Sequence, residues 1–238
     1  MRRFVTTTLL SLLALNGAAL AADLPPPPSL PADDLPLWTG FYAGLNVGGA
    51  FGSSRTAFNI AGFPLPAFDT SLAGAVGGAE AGYNWQTGPW VVGLEASFEG
   101  SGLRGARTAP CLPPLCGALA ASYTQKLAWF GTLRPRLGYS VGNWLFYATG
   151  GGVLGEVGAD ATATVGPFTA ADKRSQTRAG WTAGGGVEVE LARGWSAKIE
   201  YLHLDLGSGT TTYLSYPPIS NASRVSANLF TAGVNYHF

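Results

Sequence analysis

The stretch Asn228-Leu229-Phe230-Thr231-Ala232-Gly233-Val234-Asn235-Tyr236-His237-Phe238 decides the fold. Taken alternately it gives Phe230, Ala232, Val234, Tyr236 and Phe238 on one face and Leu229, Thr231, Gly233, Asn235 and His237 on the other. A period of two with one apolar and one mostly polar side is a strand. An apolar face ending in aromatics suits a strand that looks into lipid and crosses the interface near its end. Tyr236 and Phe238 are accordingly read as the C-terminal signal for barrel-assembly machinery.

The same pattern recurs upstream, and composition agrees with it. Only 12% of the 238 residues are charged, although no internal apolar run reaches the about 20 residues of a spanning helix. An apolar chain without helix-length runs is what an all-β, eight-stranded antiparallel transmembrane up-and-down barrel gives. Residues 1–21 read as a secretory signal peptide: Arg2 and Arg3, a mostly apolar stretch, then Ala19-Leu20-Ala21 before the cleavage point. Its removal turns 14 basic and 14 acidic residues into 12 and 14, a charge of −2, which is no nucleic-acid footprint. Residues 22–37 hold Pro25 to Pro28, Pro31 and Pro36 and read as an extended periplasmic arm, with peptidoglycan as its conceivable contact. The barrel is assigned to 38–238. Cys111 and Cys116, in an exported chain, are expected to close a small loop disulfide.

Eight strands are expected to begin near Trp38, Leu72, Trp90, Ser122, Trp144, Ala179, Trp195 and Asn228. Connections over about 53–71, 100–121, 158–178 and 207–224 read as long polar loops. Those at 86–89, 140–143 and 192–194 are short, which is the outside/periplasm asymmetry of outer-membrane barrels and puts both termini in the periplasm. Pro135 lacks the N–H that a closed sheet needs, so a bulge or pairing gap is expected there. The facing of the fifth strand is ambiguous because both parities are apolar. We place Leu145, Tyr147 and Val153 outward and Glu156 inward.

Several segments together resemble a known family: Ala21 to Pro25, Trp38-Thr39-Gly40-Phe41-Tyr42-Ala43-Gly44, Gly131 to Tyr139, Lys198-Ile199-Glu200-Tyr201-Leu202 and Val234-Asn235-Tyr236-His237-Phe238. The chain is similar along its mature length to the outer membrane immunogenic proteins of alphaproteobacteria, small porin-like barrels. It departs from them at Pro135, where glycine is usual, and in its cysteine-bearing second loop. The resemblance implies an integral, surface-exposed outer-membrane protein that supports envelope integrity among lipid and lipopolysaccharide, with hemin binding in some members.

Eight strands enclose a lumen that side chains fill or one small ligand enters. The inward charges are expected to be Glu80, Glu95, Glu99, Glu156, Glu188, Glu190 and Glu200 with Lys126, Arg134, Arg136 and Lys198. Opposite charges in so narrow a space pair across it, leaving little conductance, and the surplus of carboxylates would make any residual pore prefer small cations. Glycine triplets at 150–152 and 184–186 lack the Lys-Ser/Thr of a phosphate loop. His203 with Ser208 is the one thin case for a lipid A-modifying enzyme. His203, Tyr213 and Tyr216 carry iron-ligating chemistry and are the candidate hemin contacts. Neither a catalytic residue nor a metal site is assigned.

Overall fold

A computed structural model describes residues 38–60, 62–64, 66–108, 119–165, 167–192, 194–213 and 219–238. Residues 1–37, expected to be signal peptide and proline-rich arm, lie outside them, as do Tyr216 and the expected disulfide partners Cys111 and Cys116. Nine strands form among the described residues: β1 (Gly40–Ile60), β2 (Phe63–Pro64), β3 (Phe68–Thr87), β4 (Trp90–Thr108), β5 (Leu119–Val141), β6 (Trp144–Val165), β7 (Phe168–Ala192), β8 (Trp195–Tyr213) and β9 (Ile219–His237). β2 is a two-residue appendage on β1. The other eight run antiparallel to their neighbours, and the pairing of β1 with β9, from Tyr42↔His237 to Ile60↔Ile219, closes the barrel.

Alternation assigns the two faces. On β1, Phe41, Leu45, Val47 and Phe51 are exposed while Tyr42, Asn46 and Ala50 are buried, and the other strands repeat the pattern. The exposed apolar band is bounded by two aromatic rings. Phe41, Trp85, Trp90, Trp144, Trp195 and Phe238 lie by the short turns, and Phe51, Phe98, Trp181 and Phe230 lie at the far level. Phe41 and Phe51 stand ten residues apart, which at about 3.3 Å per residue and a tilt of about 40° is roughly 25 Å of height, the lipid-facing belt of such barrels.

Three tight turns join β3 to β4, β5 to β6 and β7 to β8. Their glycines Gly88, Gly142 and Gly194 have φ of 57°, 59° and 83°, a conformation that side chains with a Cβ resist. The far end differs from the expected long loops. The strands run for 19 to 25 residues, about twice what a membrane requires, so most of 53–71, 100–121, 158–178 and 207–224 is strand. Loss of apolar alternation there marks where lipid ends, while runs such as Ala159 to Val165, mostly Ala and Thr, keep the ladder going.

Pro135 sits where a pairing gap is tolerated. It pairs with Leu94 of β4, but on the β6 side the ladder passes from Leu133↔Gly152 to Arg136↔Thr149 without a register shift. True register shifts occur between Gly100 and Leu103, Leu127 and Phe130, Glu190 and Ala192, and Asp205 and Ser208.

Candidate functional site in the barrel lumen

Inward positions form four layers along the barrel. Nearest the short turns, Trp38 folds in ahead of β1 and packs with Val91, Leu145 and Tyr147, its Nε1 donating to Ser140 Oγ at 3.1 Å. Trp38 thus lies inside the short-turn end of the lumen, although this residue was expected to start the first strand.

Above it lies an ion network that draws on all eight barrel strands. Glu95 of β4 is its hub and is fully buried. It accepts from the Tyr42 hydroxyl at 2.8 Å and from Arg136 at 3.4 Å, pairs with Arg134, and lies 3.6 Å from Lys198 Nζ. Arg134 also donates to Glu200 at 2.9 Å, Arg136 to Glu188 at 2.8 Å and to the Tyr42 hydroxyl at 2.8 Å, and Lys198 pairs with Glu80 at 2.5 Å. The Arg136 guanidinium lies 3.8 Å from the Tyr147 ring centroid, and the Tyr147 hydroxyl donates to Glu200 at 2.8 Å. Asn46 donates to Glu99 and Glu80, while Ser196 and Asn235 donate to Glu188. Charges taken out of water are tolerable only when paired and hydrogen-bonded in this way.

The two tyrosines fit because glycine stands directly opposite each. Tyr42 pairs with Gly82 and Tyr147 with Gly186, and a Cβ on either glycine would lie 2.5 Å or 2.6 Å from the tyrosine. Composition cannot reveal this; it becomes visible once register is known.

The third layer is apolar. Ala50, Leu72, Val76, Leu103, Leu127, Phe130, Val153, Val157, Leu204 and Leu229 form one buried cluster to which every barrel strand but β7 contributes. The sequence reading missed it, because inward positions were expected to be polar. Beyond it a polar vestibule begins with Ser54, Thr56, Thr70, Tyr123, Gln125, Arg178, Asn221 and Ser223.

Of the inward charges expected, Glu80, Glu95, Glu99, Arg134, Arg136, Glu188, Lys198 and Glu200 are placed together in the network. Glu190 is half-buried near the β7–β8 turn, outside the network. Two assignments are corrected. Lys126 lies on the outer wall, 3.5 Å from Asp160, because the shift between Leu127 and Phe130 reverses the parity of β5 and turns Leu127 inward. Glu156 is also on the outer wall, accepting from Trp129 Nε1 at 2.8 Å. The facing of the fifth strand is therefore the reverse of that expected: Leu145, Tyr147 and Val153 are buried in the lumen, and Phe146 and Leu154 face out.

His203 faces outward against Trp181, with ring centroids 5.4 Å apart, and its Nδ1 is 2.9 Å from Asn228 Oδ1. Ser208 lies five residues on along β8, roughly 15 Å at strand rise, so the two do not form a nucleophile–base pair. Of the hemin candidates only His203 has a described side chain, and it faces no cavity. No group of three His, Cys, Asp or Glu suited to a metal occurs among the described residues. Tyr236 and Phe238 point outward, their rings 5.2 Å apart, in the aromatic ring by the short turns.

The geometry can be set beside known proteins. The family described as outer membrane protein beta-barrel domain matches residues 7–238. The chain is 35% identical over 242 residues to the 31 kDa outer-membrane immunogenic protein of Brucella melitensis, covering 93% of this chain and 94% of that protein. It is 29% identical to the 22 kDa outer membrane protein of Rhizobium leguminosarum, over 72% of this chain and 65% of that one. Among solved structures, the outer membrane protease OmpT of Escherichia coli matches with a TM-score of 0.52 at 11% identity, over 84% of this chain and 97% of that one, a likeness of fold alone. Lipid-facing alternation, closure of the sheet and the matched relatives agree: the chain belongs to the outer membrane protein beta-barrel domain family, as an integral outer-membrane protein related to the outer-membrane immunogenic proteins of alphaproteobacteria.

Proposed function

We propose that this protein is a structural surface component of the outer membrane whose lumen is closed, so that it supports the envelope without conducting solutes. The observation that carries this reading is the stacking of two different seals: an ion network anchored in all eight barrel strands, and above it a layer of Leu, Val and Phe side chains. Water and ions crossing the first would have to displace charge-assisted hydrogen bonds, and crossing the second would strip their hydration. The names of the relatives denote surface antigens, which favours a non-catalytic role. Purified protein in planar bilayers is expected to show no steady current above background, and a sustained nanosiemens-scale current would sink the reading.

Lipopolysaccharide is the partner the outer wall suits. Arg55 and Arg224 face each other directly across β1 and β9, and Arg104 and Lys126 do so across β4 and β5, all exposed and all beyond the outer aromatic ring. Like charges placed opposite one another cost stability unless an anion bridges them. Asp205, at 2.5 Å from Arg224, and Asp160 offset part of this, and lipid phosphate would supply the rest. Replacing Arg55 and Arg104 with Gln should reduce co-purified lipopolysaccharide several-fold.

A further inference from the structure

Beyond the apolar layer the wall is not evenly closed. β7 and β8 pair from Ala192↔Trp195 as far as Trp181↔Asp205 and no further, although β7 extends to Phe168 and β8 to Tyr213. β7 stays on β6 through Val165↔Phe168, and β8 stays on β9 through Tyr213↔Ile219, so the wall parts along a seam. The separation starts where the register of β8 shifts between Asp205 and Ser208, with Gly207 at φ 64°. At the seam is a cavity of about 310 Å³, lined by Arg174, Gln176, Arg178, Thr210, Asn221 and Ser223 among others.

Arg178 of β7 reaches across the seam. Its two terminal nitrogens donate to Ser223 O at 2.9 Å and Ser223 Oγ at 3.0 Å, and it lies over Gly209, where a Cβ would stand 2.6 Å from its Cζ and Nε. It is 8% exposed, its Nε lacks a hydrogen-bond partner as do those of Arg134 and Arg136, and, unlike theirs, its guanidinium has no carboxylate among the described residues within ion-pair distance. Arg134 and Arg136, deeper in the same barrel, each hold two carboxylates. A buried cation without a counter-charge is expensive. Burial holds the Arg178 guanidinium below its ordinary range. Arg174, four residues along the same face of β7, lines the same cavity, half exposed and 3.2 Å from Asp172.

We propose that this vestibule is a binding site for a small hydroxylated organic anion of about monosaccharide size, its carboxylate or phosphate held by Arg178 and secondarily by Arg174. A guanidinium fork matches such groups bidentately, and the hydroxyls and amides of Thr210, Ser223 and Gln176 suit a ligand's hydroxyls. The site lies on the outer side of the apolar layer, so occupancy requires no passage through the lumen. The same anionic chemistry could come from a free sugar acid or from a glycolipid headgroup.

The test is calorimetric titration of the full chain folded in detergent, with glucuronate, glucose 6-phosphate, glucose and rough lipopolysaccharide as probes. Binding of at least one anionic probe and none of glucose is expected, with at least tenfold weakening in Arg178→Gln. Gly209→Ala, which keeps every charge but fills the space under Arg178, should weaken binding as well. Anions that bind only as lipopolysaccharide, and lose that binding in Arg178→Gln but not in Arg55→Gln/Arg104→Gln, assign the source to the leaflet, and free acids that bind alone assign it to the medium. Should Arg178→Gln fail to give the folded band on unheated gels, Arg174→Gln on the exposed rim should still cost several-fold. No heat from any anion at 10 mM, equal heat from glucose, or unchanged affinity in a folded Arg178→Gln variant would overturn the site.

Discussion

Glu95 shows how one side chain can hold a barrel closed. It is reached by hydroxyl, guanidinium or ammonium groups from β1, β5 and β8, so removing its charge takes one counter-charge from three buried cations at once and leaves each with a carboxylate elsewhere. Breaking a buried ion pair on one side commonly costs roughly 3–5 kcal/mol, much more than the pair itself contributes. Glu95→Gln should therefore lower the unfolding free energy in detergent micelles by about that amount, read as a lower urea midpoint for loss of the fast-migrating unheated gel band. An unchanged midpoint would mean the network is not continuous around Glu95. Gly82→Val acts on the same network by shape alone, since its side chain would overlap the Tyr42 ring. It should destabilise by about 1–3 kcal/mol, as overpacking does, and the double variant Gly82→Val/Tyr42→Ala should recover part of that loss in the same unfolding assay.

Strands carried most of what was legible, and β5 shows the limit. Near Arg134 and Arg136, outward Leu133 and Leu137 alternate with inward charge, so facing could be read directly. Below Phe130 that rule fails, because the shift between Leu127 and Phe130 changes which parity is inward, and nothing in the local sequence announces it. On β6 the inward Leu145, Val153 and Val157 belong to dry layers, so both faces are apolar and periodicity is silent. A cysteine at position 126 should react with a membrane-impermeant maleimide on intact cells well above the unsubstituted background, whereas one at position 127 should not. The opposite pattern would restore the unshifted register and put Lys126 back in the lumen. The long strands were misread as loops for a related reason: hydropathy reports contact with lipid, and a ladder that rises into water keeps its hydrogen bonds without keeping its apolar face.

For the whole molecule, the proposed sealing rests on layers arranged in series. Trp38 packs at the short-turn end of the lumen, the ion network occupies the next level, and the apolar cluster lies above both. Barriers in series mean that the slowest one sets the flux, so opening a single layer should leave the current near background. Phe130→Ala with Leu229→Ala removes bulk from the apolar layer, at about 2–5 kcal/mol for each truncation, but leaves the ions paired beneath it. Trp38→Ala removes the short-turn stopper alone. Neither variant should conduct appreciably in planar bilayers. Combining them with Arg134→Gln, which frees carboxylates from Glu95 and Glu200, should produce small, cation-selective events, since Glu80, Glu99 and Glu188 also line the path. If truncation of the apolar layer alone opened a steady current, the charge network would be permeable as it stands, and the family's porin-like label would describe this protein's activity as well as its shape.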